Sequence, residues 1–131
     1  MRRLLPMVLL FAALALAAQA QVLTVDAKYR IVNLKPDENG FDVQLLDATD
    51  PEDDQNWVFF KVDTKIYQEI IRKDGSRKVF EVSMPKFFRI AKKGDIVRVQ
   101  GGRDWTMEIA AYKVWLAPVK DGEIDPDLLK D

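Results

Sequence analysis

The chain of 131 residues contains no cysteine and no histidine. Without cysteine, its stability rests on packing and hydrogen bonds rather than on cross-links. Without histidine, zinc sites of the usual kind, Ser-His-Asp triads and Cys-His pairs are all excluded. What remains for acid–base chemistry is carboxylates, tyrosines and lysines, and no spacing selects a pair of them. The reading is therefore a protein that is not an enzyme, with no catalytic residue, no metal site and no cofactor. A large excess of charge is missing too: 20 basic residues stand against 21 acidic ones. That balance argues against a general nucleic-acid binder, whose affinity rests on neutralising phosphates. No internal repeat or low-complexity tract is visible.

The amino terminus is the most legible segment. Arg2 and Arg3 precede an uncharged apolar run from Leu4 to Leu16, interrupted by Pro6, and Ala18-Gln19-Ala20 follows. A basic head, a short apolar body and small residues around one larger one make a cleavable secretory signal over residues 1–20. The run is too short for a comfortable membrane span, which takes about 20 residues. Position 21 is Gln, which argues against a lipid-anchored lipoprotein. The expectation is a periplasmic or secreted protein that begins at Gln21 and has no stable membrane span. Its mature chain would carry 18 basic and 21 acidic residues, a formal charge of −3. That length suits one domain with one modest core.

Strand signals then follow one another. Tyr29 to Leu34 is rich in β-branched and apolar residues. Lys35 to Gly40 carries the marks of a turn, and Phe41 to Leu45 alternates with period two. This predicts a hairpin with Phe41, Val43 and Leu45 inward. Asp47 to Asn56 is an acidic loop. Trp57 to Val62 is the next strand, with Val58, Phe60 and Val62 filling the core. Residues 64–84 read two ways. The spacing of Ile66, Ile70 and Ile71, with Asp63 as N-cap, favours a helix over 64–73 and a strand over 78–84. Asp74-Gly75 between two apolar-rich runs also reads as a hairpin with a type I′ turn. Beyond Pro85, Phe87, Phe88 and Ile90 suggest one helical turn. A Gly94-Asp95 turn enters a strand in which Val97 and Val99 point inward and Arg98 outward, and Gly101-Gly102 closes it. The last strand is expected over Trp105–Leu116. Met107 and Ile109 share one parity and Tyr112, Val114 and Leu116 the other, so a bulge near Ala110-Ala111 would bring both sets inward. Residues 118–131 read as a polar C-terminal tail.

The sum is an all-β domain over residues 21–117: a small barrel of about five to six strands, with room for one short helix. Its element order is that of an OB-fold. KKGDIVRVQG followed by DWTMEIAAYKVWL resembles the fourth and fifth strands of many OB-fold domains, and FDVQLLDATD resembles their second strand and the loop after it. Among exported proteins the chain resembles the bacterial OB-fold family of small periplasmic proteins. That resemblance implies a ligand binder, although the segment 64–93 is longer than the family's pattern.

Three groups of residues are candidates for binding. Asp47, Asp50, Glu52, Asp53 and Asp54 could offer oxygens to Ca²⁺, but they lack the EF-hand spacing and read as a solvated loop. From Arg72 to Lys93, basic residues alternate with Phe80, Phe87 and Phe88, a pattern that suits anionic glycans, oligonucleotides or lipid head groups, or simply a soluble surface. The third group follows from strand parity. If Val58 and Phe60 point inward, Trp57, Phe59 and Lys61 point outward, as do Arg98 with Gln100, and Lys113 with Trp115. Outward aromatics beside Arg and Lys suit stacking on sugars or bases. The expectation is a non-catalytic envelope binding module whose face holds Trp57, Phe59, Lys61, Arg98, Lys113 and Trp115, with an anionic or sugar-containing ligand. A structural or assembly subunit docking an envelope protein through the same aromatics competes with it. An oligonucleotide-binding OB domain is the third reading.

Overall fold

A computed structural model describes residues 23–47, 55–103 and 105–123. The expected signal segment, most of the acidic loop and the end of the expected tail lie outside the described residues. Seven strands are present among the described residues: β1 (Leu23–Lys35), β2 (Gly40–Leu45), β3 (Gln55–Ile71), β4 (Arg77–Val82), β5 (Ile96–Arg103), β6 (Ile109–Leu116) and β7 (Val119–Lys120). One helix, α1 (Met84–Ile90), lies between β4 and β5. No helix among the described residues is long and apolar enough to cross a membrane.

The strands make one sheet whose pairings return to their start. β1 pairs with β2, β2 with β3, β3 with β6, β6 with β5, and β5 with β1. All of these are antiparallel except β3 with β6. Two long strands make the ring-like circuit. β1 pairs with β5 over Leu23–Arg30 and with β2 over Tyr29–Lys35, so it serves two neighbours in succession. β3 does the same: its first half pairs with β2 and its second half with β4, while β6 runs along both. Tyr29, Ile31, Phe41, Val43, Val58, Val97, Val99, Ile109 and Val114 fill the inside. These are the period-two positions of each strand, as one buried face requires.

Several expectations hold. Phe41 and Val43 are inward, Val97 and Val99 are fully buried, and Arg98 is exposed between them. Four differ. Against the helix expected over 64–73, residues 64–71 continue β3 and 72–73 begin the turn after it: Ile66, Ile70 and Ile71 are β-branched, and partners on both sides supply the ladder that outweighs their helical spacing. The turn joining β3 to β4 is longer than a type I′ turn. The Gly75 amide donates to the Arg72 carbonyl at 2.9 Å, the Arg72 amide to Ser76 at 2.7 Å, and Gly75 has φ +86°. This is a type I turn closed by a left-handed glycine. Val62 is fully exposed, because residues 61–64 bulge out of β3. Thr64 Oγ1 holds that bulge, accepting from the Lys61 amide at 2.7 Å and donating to the Ala111 carbonyl at 2.6 Å. Leu45, at the end of β2, is 41 % exposed.

The bulge expected near Ala110-Ala111 exists, at the adjoining Tyr112. Gln100 faces Lys113 and Gly101 faces Ala111, which leaves Tyr112 without an opposite residue. Tyr112 is therefore 51 % exposed, while Ile109, Ala111, Val114 and Leu116 are buried. The strand starts at Ile109, so Met107, with φ +71°, stands in the preceding loop and is exposed. The tail is attached at its start, since β7 pairs with Ile70 and Ile71 of β3.

Candidate functional site

The outward residues expected to form one face divide into two groups. Trp57 and Phe59 lie on the first half of β3, opposite Asp42 and Gly40 of β2. Both are half-buried. The Trp57 ring lies on Gly40, where a Cβ would come within 2.5 Å of it, and Lys35 Nζ sits 5.5 Å from the ring centre. Lys35 also approaches Asp42 at 3.7 Å. Trp57 is thus covered by its own neighbours. Lys61 lies in the β3 bulge, with Nζ 5.5 Å from the centre of the Tyr112 ring.

Arg98, Lys113 and Trp115 come together elsewhere. Trp115 faces Arg98 on one side and Tyr67 on the other, and Lys113 faces Gln100 and Lys65. Trp115 lies six residues beyond Ile109, the partner of Val58, which puts it about 20 Å along β6 from the Trp57 end.

Around Trp115 the side chains are tied together. Its ring stacks on Tyr67, with centroids 4.5 Å apart and planes at 30°. Its Nε1 donates to Gln100 Oε1 at 3.0 Å. Gln100 Nε2 donates to Asp26 at 3.4 Å, and Arg98 grips the same carboxylate through Nε at 2.8 Å and Nη2 at 2.9 Å. The hydrogen bond from Arg98 holds the Asp26 carboxyl below the usual range, helped by Gln100 and by the Arg98 charge. Asp26 in turn raises the Arg98 guanidinium. The indole is therefore held by stacking at one face and by a hydrogen bond at its edge.

Trp115 lines a groove of about 630 Å³ on the outer face of the sheet. Leu116, Ala117 and Pro118 border it with Trp115; Lys28, Ile96 and Arg98 stand at one side and Glu69 and Arg77 at the other. Arg77 Nη1 donates to Glu69 at 3.0 Å. Of the three cations here, Arg98 and Arg77 have carboxylate partners. Among the described residues Lys28 has none, and neither does the neighbouring Lys113. The groove suits a ligand with a ring to stack and one or two negative groups, rather than a polyanion.

Strand parity had placed Arg98, Gln100, Lys113 and Trp115 on the outer face. It passed over Asp26, Lys28, Tyr67, Glu69 and Arg77. Asp26 and Lys28 carried a signal, the alternation of Val25, Ala27 and Tyr29 between them. Tyr67 and Glu69 were hidden by the helical reading of their segment. The calcium reading of residues 47–54 lies outside the described residues, apart from Asp47.

No protein-family model matches the chain, and no curated protein is significantly similar to it.

Proposed function

We propose that the protein is an exported, non-catalytic binding module whose ligand stacks on Trp115 and places an anionic group against Lys28 and Arg98. One observation carries the reading. Trp115 is an aromatic platform already immobilised by Tyr67 and Gln100, in an open groove flanked by cations. A pre-held ring loses little freedom when a sugar or base stacks on it, and Arg and Lys supply the polar recognition. The five-strand circuit, taken with β4 as an insertion, supports an OB-type barrel, a scaffold whose second and third strands and adjoining loops bind oligonucleotides and oligosaccharides. The ligand favoured is a short acidic saccharide, since the few unpaired cations suit isolated carboxylates or sulfates.

The test is titration with a short oligosaccharide carrying one carboxylate per disaccharide, such as a hyaluronan fragment, and in parallel with a short single-stranded oligonucleotide. Trp115→Ala should weaken saccharide binding by about 1–3 kcal/mol, the usual worth of one stacking partner. Trp57→Ala, distant from the groove, should leave it unchanged. Equal affinity for wild type and Trp115→Ala would overturn the reading, and tighter binding of the oligonucleotide would transfer it to nucleic acid. Protein recovered from the periplasm of a Gram-negative host should begin at Gln21. Soluble cytoplasmic protein that retains Met1 would overturn the proposal of export.

A further inference from the structure

Strand β4 ends the sheet. Among the described elements it pairs with β3 and with nothing else. Its free edge is RKVFEV, in which Val79 is 47 % exposed. Edge strands often carry charges that keep other chains away. Here the charges have opposite signs and a spacing that makes them complementary to themselves.

The phase of the backbone hydrogen bonds determines which residues face outward. Arg72 and Ser76 lie opposite each other in the β3–β4 register, and the Arg72 amide donates to the Ser76 carbonyl at 2.7 Å. Hydrogen-bonded pairs alternate along an antiparallel ladder. The next such pairs are Ile70 with Lys78, Gln68 with Phe80, and Ile66 with Val82. The backbone N–H and C=O groups of Arg77, Val79 and Glu81 therefore point to the open edge.

We propose that β4 is the seam of a two-fold dimer, paired antiparallel with β4 of a second copy and centred on Val79. A two-fold axis perpendicular to the sheet keeps both outer faces on one side, so odd positions pair with odd positions. Centring on Val79 joins the three residues whose backbone groups are free. It sets Arg77 opposite Glu81 of the second copy, twice by symmetry, and Val79 against its own counterpart. Lys78, whose Nζ already lies 4.7 Å from the centre of the Phe80 ring, faces Phe80 of the second copy. Centring one residue further on would set Val79 against Glu81 and Lys78 against Val82, losing both complementary pairs. The existing ion pairs extend across the seam. Lys65 pairs with Glu81 at 3.1 Å and Arg77 with Glu69 at 3.0 Å. Joined at the dyad, they make a row of alternating sign: Lys65, Glu81, then Arg77 and Glu69 of the second copy. Opposite charges across strands stabilise a sheet, and like charges destabilise it. Because Arg77 also borders the groove, the dimer presents two grooves on one face, though the seam stands independently of what the grooves bind.

Because the chain has no cysteine, single cysteines report the register directly. Hydrogen-bonded antiparallel partners lie about 5.5 Å apart at Cα, within disulfide reach. Under mild oxidation Val79→Cys should form a disulfide dimer, and Phe80→Cys should not. Equal cross-linking of both, or of Phe80→Cys alone, would overturn the proposal. Sedimentation equilibrium of the mature protein should show reversible dimerisation below about 0.5 mM, the range of small polar interfaces; a chain still monomeric there would also overturn it. Glu81→Arg should weaken association at least tenfold; unchanged association in a variant with wild-type circular dichroism would exclude the Arg77–Glu81 register. Val79→Pro removes only an outward N–H, so it should abolish the dimer while the monomer stays folded; a dimer that survives it lies elsewhere.

Discussion

At the scale of single residues, the outer face is organised by Asp26. Its carboxylate receives Arg98 and Gln100, and Gln100 in turn receives the Trp115 indole. One acidic side chain thus orients the platform and holds Arg98 beside it. The sign of its pH dependence follows from the direction of its shift. The folded chain holds Asp26 below its ordinary value of 3.8, mainly through the Arg98 hydrogen bond. Its stabilising effect is therefore complete above that value and is lost as pH falls through the lower, folded value. Asp26→Asn should lower the melting temperature at neutral pH, and the gap to wild type should close in strong acid. A gap that is constant from neutral pH to acid would show that the ion pair does not contribute.

At the scale of elements, strand parity decides both core and surface. Val97 has no exposed area and Arg98 stands outside it, on adjacent positions of β5. Val97→Asp should unfold the domain, since an unpaired buried charge costs several kcal/mol. Arg98→Asp should leave it folded. Similar urea midpoints for the two would contradict the parity of β5. Such parity was legible wherever a strand was regular: in Phe41 and Val43, in Val58 and Phe60, and in the whole of β5. It failed where a strand bulges. Val62 and Tyr112 read as core because the count of two was carried through residues 61–64 and through Tyr112. A bulge is selected by the register of a neighbouring strand, and no property of the bulged residues alone announces it. The helical reading of 64–73 failed for a related reason. Ile66 and Ile70 fit both periods, and only the flanking ladders of β4, β6 and β7 choose the strand.

At the scale of the whole molecule, α1 packs on the ring-like sheet. Ser83 caps it, with Oγ accepting from the Lys86 amide at 3.4 Å, and Pro85 lies in its first turn, where a missing N–H costs nothing. The helix brings Phe87 to Phe41 of β2 and Phe60 of β3, with ring centroids 5.3 and 5.1 Å apart, and Phe88 packs on Phe60 and Phe87. Elements distant in sequence therefore share one aromatic cluster. Phe87→Ala should cost about 3–5 kcal/mol, as truncation of a buried phenylalanine does. Urea unfolding would measure it, and a loss under about 1 kcal/mol would show that the helix is peripheral to the core.

The sequence alone determined the class of structure and the limits on its chemistry. Period-two alternation, turn residues at Lys35–Gly40 and Gly94-Asp95, and the lack of histidine and cysteine are local or compositional properties that a chain carries before it folds. It also placed Arg98, Gln100, Lys113 and Trp115 on the outer face, because alternation within one strand is local. Tertiary structure alone decided that Trp57 and Trp115 lie far apart along the sheet and that Tyr67 stacks on Trp115. It likewise decided that β4 forms an open edge. Each of these depends on which strands become neighbours and in what register, a competition among pairings distant along the chain.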